Sequence, residues 1–298
     1  MKQKNSFSGQ IGFVFAAAGS AVGVGNLWRF PYLAAKDGGG LFLIIYLVLV
    51  VTFGFTLLTT DIAIGRKTGK SAIYAYESMC SKWKFLGILT FLVPVLIMTY
   101  YAVIGGWILK YITIYLFSSG KEAVADGCFT GFISSPSSVW FSLVFMLLTA
   151  LIVYNGVEKG IERVSKFIMP ILLVMVIVIA IFSLTLKTTL DDGTVRTGLQ
   201  GMMIYLKPDL TGVTVGRFLQ ITLDAMSQLF FSLSVSMGIM ITYGSYVKKD
   251  VDLNKAVSQI ELMDTGVAFL AGVMIIPAVF VFSGLDGMSA GPGLMFVS

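Results

Sequence analysis

Histidine is absent from the 298-residue sequence, charged residues make up only 12% of it, and there are just two cysteines and seven prolines. Each shortage excludes something. Without an imidazole there is no side chain that changes charge near neutral pH at its ordinary value, and no histidine metal ligand. With charge at half the roughly 25% of a soluble domain and hydrophobic residues at 56%, the chain cannot clothe a surface that faces water. Cys80 and Cys128 lie in segments expected on opposite sides of a membrane, so they should not pair, and neither has a metal-ligand neighbour. The net charge of +5 does not mark a nucleic-acid binder, because Lys and Arg sit in short segments between apolar runs. No catalytic constellation is present, so an enzyme is not expected.

What the sequence does have is apolar blocks of about 20 residues, the length that crosses a bilayer core of roughly 30 Å as a helix. An all-α integral membrane protein with seven spans follows, at about 11–33, 41–64, 86–116, 139–154, 165–186, 218–246 and 256–282. The first apolar segment lacks a small-residue cleavage pattern and is expected to be retained. The spans place most basic residues on one side: Lys2, Lys4, Arg66, Lys67, Lys70, Lys82, Lys84, Lys159, Arg163, Lys166, Lys248, Lys249 and Lys255. Basic residues favour the cytoplasmic side, which puts the N-terminus inside. Long connections follow spans 3 and 5, the second carrying an amphipathic stretch near 199–206. Pro94 and Pro170 fall inside spans, where each should kink the helix or free a carbonyl.

Two of these spans are interrupted where a spanning helix should be most regular. Residues 19–31 read GSAVGVGNLWRFP. Each glycine costs roughly 1 kcal/mol against alanine in a helix, and a backbone group left unpaired in hydrocarbon costs several kcal/mol. Close helix packing through small residues is one use for Gly19, Gly23 and Gly25; a cavity or ligand that satisfies an opened backbone is the other. The second interruption, QLFFSLSVSMGIMITY at 228–243, sets Ser232, Ser234, Ser236 and Gly238 between apolar neighbours. Serines in such helices often only bond back to their own carbonyls. A matched pair of breaks, in the first helix of each of two five-helix blocks, instead points to a transporter built from inverted repeats. The half-helix N-termini would attract an anionic group, and the loosened carbonyls suit Na⁺. A carboxylate-bearing solute moved with sodium is the expectation.

The motifs GSAVGVGNLWRFPYLAAKDGGG (19–40), IGRKTGKS (64–71), the Tyr100–Tyr101 pair, DAMSQLFFSLS (224–234) and ITYGSY (241–246) together resemble the neurotransmitter:sodium symporter family, which includes bacterial leucine-transporter-like amino-acid carriers. The resemblance implies that fold over residues 1–298 as one transmembrane transporter domain: broken helices 1 and 6, a complete first repeat, and a second repeat cut after its second helix. It implies a chloride-independent, sodium-coupled symporter that moves a neutral amino acid inward by alternating access, in a plasma membrane such as the bacterial inner membrane. A truncated, non-transporting membrane partner of a full-length relative is the alternative. The implied first sodium site comprises Ala21, Asn26, Ser232 and Asp264. The second comprises Gly19 and Val22, with its other ligands on a helix the sequence lacks. The implied substrate site takes the carboxylate at Val24, Gly25 and Tyr101 and the amino group at carbonyls of Ala21, Phe231 and Ser234. Gly23 stands where amine-transporting relatives carry aspartate, Ser232 lies beside the substrate, and Ile97, Phe231 and Met237 form the apolar wall. Chloride-dependent relatives usually have asparagine at the Asp264 position, and Tyr46, Gln228 and Ser232 match the remainder of their anion pocket. Arg29 implies an outer gate, for which Gln228 and Asp224 are the available partners. Lys4, Phe7 and Tyr246 resemble an inner latch.

Overall fold

The computed structural model describes residues 6–118, 120–123, 125, 127–190 and 193–287. The chain is mostly helical. It opens with α1 (Gln10–Ala21), a π-helical turn at Gly25–Arg29 and α2 (Phe30–Lys36). Then come α3 (Gly40–Leu49), a second π turn at Val50–Gly54 and α4 (Phe55–Thr68). Short α5 (Ala72–Met79) precedes the 34-residue α6 (Lys84–Phe117), followed by α7 (Cys128–Ile133) and α8 (Ser137–Tyr154). A third π turn, Val157–Glu162, leads into α9 (Arg163–Thr185). The hairpin β1 (Lys187–Thr189) and β2 (Val195–Thr197) pairs antiparallel and feeds α10 (Gly198–Leu206). The chain continues through α11 (Val215–Ser232), α12 (Ile239–Gly244) and α13 (Leu253–Gly287).

Five helical stretches are long and apolar enough to cross a membrane: Gly40–Thr68, Ser81–Phe117, Ser137–Tyr154, Val157–Thr185 and Leu253–Leu285. The pair Gln10–Ala21 and Gly25–Lys36, bent by 50°, makes a sixth. The protein is a multi-pass membrane protein. The seventh expected span, 218–246, is two pieces. Helix α11 stops at Ser232 and α12 resumes only at Ile239, while Arg217, Gln220, Asp224 and Gln228 lower the hydropathy of the first piece. Pro94 and Pro170 lie inside continuous helices α6 and α9, and the amphipathic stretch near 199–206 is α10, closed at its start by a capping box of Thr197 and Gln200.

Helix α13 is the hub, packing against α9, α10, α1, α2 and α4. The span Leu253–Leu285 is 56% buried, whereas Ser137–Tyr154 is only 6% buried. An apolar helix that bare is stable against lipid rather than water, which places α8 and its partner α6 at the bundle's rim. Close approach of α4 and α12 depends on Gly65 and Gly244: a Cβ on either would collide with the other helix's backbone, at Ile241 and Ile62. Cys80 and Cys128 are both free, held apart by the length of α6, about 50 Å at 1.5 Å per residue.

Candidate functional site

The two interruptions face each other. Helix α1 ends when Val22 turns extended (φ −74°, ψ 107°), its N–H still bonded to the Ala18 carbonyl. The chain re-enters helical geometry through the π turn at Gly25. In the second interruption Ser234 and Ser236 carry positive φ, 52° and 61°, before Gly238 at 74°. For serine this left-handed backbone costs of order 1–3 kcal/mol and persists only where the surroundings impose it. Part of what imposes it is Asp61 of α4, a buried carboxylate whose Oδ2 accepts the Ser236 N–H at 2.9 Å.

Asn26 joins the first break to the hub. Its Oδ1 accepts the Gly23 N–H at 3.1 Å, and its Nδ2 donates to Oδ1 of Asp264 at 2.8 Å and to the Asp264 carbonyl at 3.0 Å. From the other break, the Ser232 hydroxyl lies 2.8 and 3.0 Å from the two Asp264 carboxylate oxygens. Asn26 and Asp264 have no solvent exposure, and Ser232 has 2%. Among the described residues no cation pairs with Asp264. A carboxylate buried with only neutral donors is expensive. The neighbouring oxygens, Asn26 Oδ1, Ser232 Oγ and the carbonyls at the end of α1, are the donor type a hard monovalent cation takes. Asp264 is therefore no solvated helix-end acid but the meeting point of α13 with both breaks.

Other expected site residues gather around this point. Tyr101 of α6 and Phe231 of α11 approach with ring centroids 6.2 Å apart. A Cβ built on Gly25 would stand 2.9 Å from the Phe231 ring, and one on Gly23 would stand 3.9 Å from the Tyr101 hydroxyl. The glycines at 23 and 25 thus keep open the space between the first break and the aromatic pair. Ile97 lies one turn before Tyr101 on the same face of α6, and Met237 is half-buried within the second break. Val24 sits between the two glycines at the start of the π turn. Gly19 and Val22 border α9 and α13: Gly19 packs on Ser165 of α9, and Val22 packs with Ala18, with Met169 of α9 and with Val267 of α13. The anion-pocket residues are in place but committed. Ser232 is held by Asp264, Gln228 donates to the Gly25 carbonyl at 3.0 Å, and the buried Tyr46 hydroxyl has no partner.

On the far side of Tyr101 and Phe231 lies a cavity of about 400 Å³, lined by Trp28, Arg29, Tyr32, Tyr100, Ser227 and Phe231. The Arg29 guanidinium sits 5.6 Å over the Phe231 ring, donating to Gln228 Oε1 at 3.1 Å and Ser227 Oγ at 2.9 Å. Gln228 is thus the partner expected, but Asp224 is not: its carboxylate is taken by Lys36 at 2.9 Å, which lies at the far end of α2, two turns beyond Arg29. At the opposite end, the Phe7 N–H donates to the Tyr246 carbonyl at 3.2 Å, while the Phe7 ring packs on Phe13 and Tyr243 rather than on Tyr246. Lys4 lies outside the described residues. The tether at this end is instead Glu162, whose carboxylate accepts the Ser8 N–H at 3.0 Å, the Ser8 hydroxyl and Lys166 Nζ at 2.6 Å.

Sequence reasoning missed Asp61, Glu162 and Glu261. Glu261 lies one turn before Asp264, 8% exposed, with Oε1 unpartnered and aimed at Gly54 of the second π turn. An acid within an apolar run is costly, and that signal would have found Asp61 and Glu261; Glu162 lies in a charged connection between spans, where nothing local marks it.

The profile of the sodium:neurotransmitter symporter family matches residues 4–125 and 127–297. Among curated relatives, the uncharacterized sodium-dependent transporter YhdH of Bacillus subtilis is 37% identical, over 97% of this chain and 62% of its own length. The uncharacterized sodium-dependent transporter MJ1319 of Methanocaldococcus jannaschii is 34% identical, over 99% and 61%. The human sodium- and chloride-dependent GABA transporter 2 is 26% identical, over 99% and 55%. The crystal structure of MhsT in complex with L-phenylalanine superposes with a TM-score of 0.86 at 38% identity, covering 99% of this chain and 65% of that one. The chain spans about three fifths of the length of the bacterial and archaeal relatives it matches.

Proposed function

The chain belongs to the sodium:neurotransmitter symporter family, a family of transporters rather than enzymes, and from that premise we propose that it holds one sodium ion and an amino acid between its two helix breaks for sodium-coupled transport. The observation that carries the reading is Asp264, fully buried without a cation partner and bonded by Asn26 of one break and Ser232 of the other. Sodium would neutralise that carboxylate, with Ala21, Asn26 and Ser232 completing an oxygen shell. The substrate carboxylate would then lie against the ion, the Val24 and Gly25 N–H groups and the Tyr101 hydroxyl, with its amino group toward carbonyls of Ala21, Phe231 and Ser234. Ile97, Phe231 and Met237 would face its side chain. Gly23 supports a substrate with its own carboxylate, since no acid stands there to balance a bare amine. MhsT is described with L-phenylalanine, which makes a neutral amino acid the class to test.

The charge on Asp264 is built into the chain, so no bound chloride is needed beside the ion, and transport is read as chloride-independent. Gly19 and Val22 would supply part of a second sodium site beside Ser165. The leucine-transporter-like inverted repeat, a single transporter domain over 1–298 and a cytoplasmic N-terminus belong to the same reading. The lids would be Arg29 with Gln228 on the outer side, and Phe7 with Tyr246 on the inner. The experiment is equilibrium binding of labelled L-phenylalanine to the purified chain in sodium chloride, sodium gluconate and choline chloride. Saturable binding in both sodium salts and none in choline is expected. Equal binding in choline would overturn the sodium site, and loss in gluconate would overturn chloride independence.

A further inference from the structure

At the end of the bundle beyond the cavity, four charged side chains tie the end of α2 to the first turns of α11. Asp37, directly after α2, has no solvent exposure. Its Oδ1 accepts from Arg217 at 3.0 Å, and the same guanidinium group also donates to the Lys36 carbonyl at 2.9 Å. Lys36 in turn pairs with Asp224 at 2.9 Å. Both carboxylates thus meet the same end of α2, Asp224 through Lys36, and Asp37 Oδ2 is buried with no partner. The chain then turns sharply through Gly38 and Gly39, at φ 84° and 55°, a left-handed pair that glycine adopts without strain. That turn is pinned to the segment after α10 by the Asp209 N–H on the Gly38 carbonyl.

We propose that Asp37, Asp224, Arg217 and Lys36 form an acid-sensitive clasp that closes this mouth of the bundle when the solution on its side is acidified. A wholly buried carboxylate with a second one close by cannot keep full charge without loss, and the unpartnered Oδ2 of Asp37 is where a proton would sit. There it removes the uncompensated charge, while Oδ1 still accepts from Arg217. Burial foremost, with the Asp224 charge adding to it and Lys36 and Arg217 opposing, pushes the Asp37 carboxyl up to about 6. Around the cluster, Tyr32 on α2 acts on Lys36, Gln220 on α11 donates to Asp224, and Asp209 with its neighbour Lys207 follows α10 beside Gly38. Asp209 is fully exposed and its charge is screened by water.

The direction follows from linkage. An opened clasp returns Asp37 to water and to an ordinary carboxyl value, so the closed form binds the proton more tightly. Its extra stabilisation is complete below pH 4 and is lost as pH rises through 6. Between pH 7 and pH 5 the closed form gains about tenfold over the open one. This mouth is the outer one on the transport reading above, so the physiological consequence rests on that reading. The closing itself does not.

The test uses the full chain with Cys80 and Cys128 replaced by serine and Ser227→Cys as a reporter in the cavity, without sodium or amino acid. A bulky maleimide then measures access to the mouth. Asp37→Asn in the same background cancels the thiol's own pH dependence. Labelling of the protein that keeps Asp37 is expected to fall about tenfold more than that of Asp37→Asn between pH 7 and pH 5. Arg217→Gln removes the cation opposing the proton and is expected to move the midpoint to higher pH. Parallel slowing with and without the Asp37→Asn change, or a midpoint unmoved by Arg217→Gln, overturns the clasp. If Asp37→Asn does not fold, the Arg217→Gln midpoint decides. Since neither sodium nor substrate is present, failure here leaves the transport reading intact, and failure of sodium-dependent binding leaves the clasp intact.

Discussion

Replacing Asp264 with asparagine should move stability in opposite directions with and without sodium. Without the ion, the native carboxylate is held at zero exposure by two neutral donors, and removing its charge relieves part of the cost of burial. Asparagine can keep the geometry: its Oδ1 accepts from Asn26, and the Ser232 hydroxyl can accept from its Nδ2. The variant should melt at or above the wild-type temperature in choline. With sodium present the sign reverses. Removing one member of a buried charge pair costs about 3–5 kcal/mol, so sodium affinity should drop at least about 100-fold. At sodium 100-fold above its dissociation constant, wild type gains about 2.7 kcal/mol, whereas a variant weakened 100-fold gains about 0.4 kcal/mol. For a chain of this size that is roughly 5–10 °C against 1–2 °C. A thermal-shift assay in detergent, comparing sodium gluconate with choline gluconate, reads both signs. A sodium shift in Asp264→Asn as large as wild type would refute the reasoning. Chloride should restore part of the shift in the variant alone, because Tyr46 and Ser232 then border a place where an anion is useful.

Three further outcomes follow from the same contacts. Asp61→Ala removes the charged acceptor of the part-buried Ser236 N–H and should cost about 1–2 kcal/mol; it should also weaken sodium-dependent binding, while Asp61→Asn keeps an acceptor and most of the function. Gly25→Ala drives a methyl to 2.9 Å from the Phe231 ring and should cost about 1–3 kcal/mol, weakening amino-acid binding more than the sodium thermal shift. Glu162→Gln replaces charge-assisted bonds to Ser8 and Lys166 with neutral ones, about 1–2 kcal/mol weaker. Hydrogen exchange at residues 7–13 should then quicken roughly 5- to 30-fold.

The broken spans were legible because glycines or serines cluster at the middle of two apolar runs in corresponding positions, which packing alone does not require. The rim helices α6 and α8 were legible because apolar blocks of bilayer length admit one reading. What escaped notice is what depends on pairing across the chain. Asp61 holds Ser236 from 175 residues away, and Asp37 meets Arg217 from 180, separations that no local pattern encodes. The π turn at Val50–Gly54 lies in a run with no proline and a single glycine at its end, so nothing marks it. The choice of Asp224 as a partner for Arg29 failed because one-dimensional spacing shows that α2 and α11 meet but not their register. Lys36, two turns beyond Arg29, reaches that carboxylate instead.

The most direct measurement is the coupling between ion and amino acid. If the substrate carboxylate lies against sodium between Asn26, Ser232 and Asp264, saturating sodium must tighten L-phenylalanine binding by the same factor by which L-phenylalanine tightens ²²Na⁺ binding. Equal factors of about tenfold or more, lost when L-phenylalaninamide replaces the amino acid, are predicted. Independent binding of ion and solute, or coupling that persists without the carboxylate, would contradict a shared site.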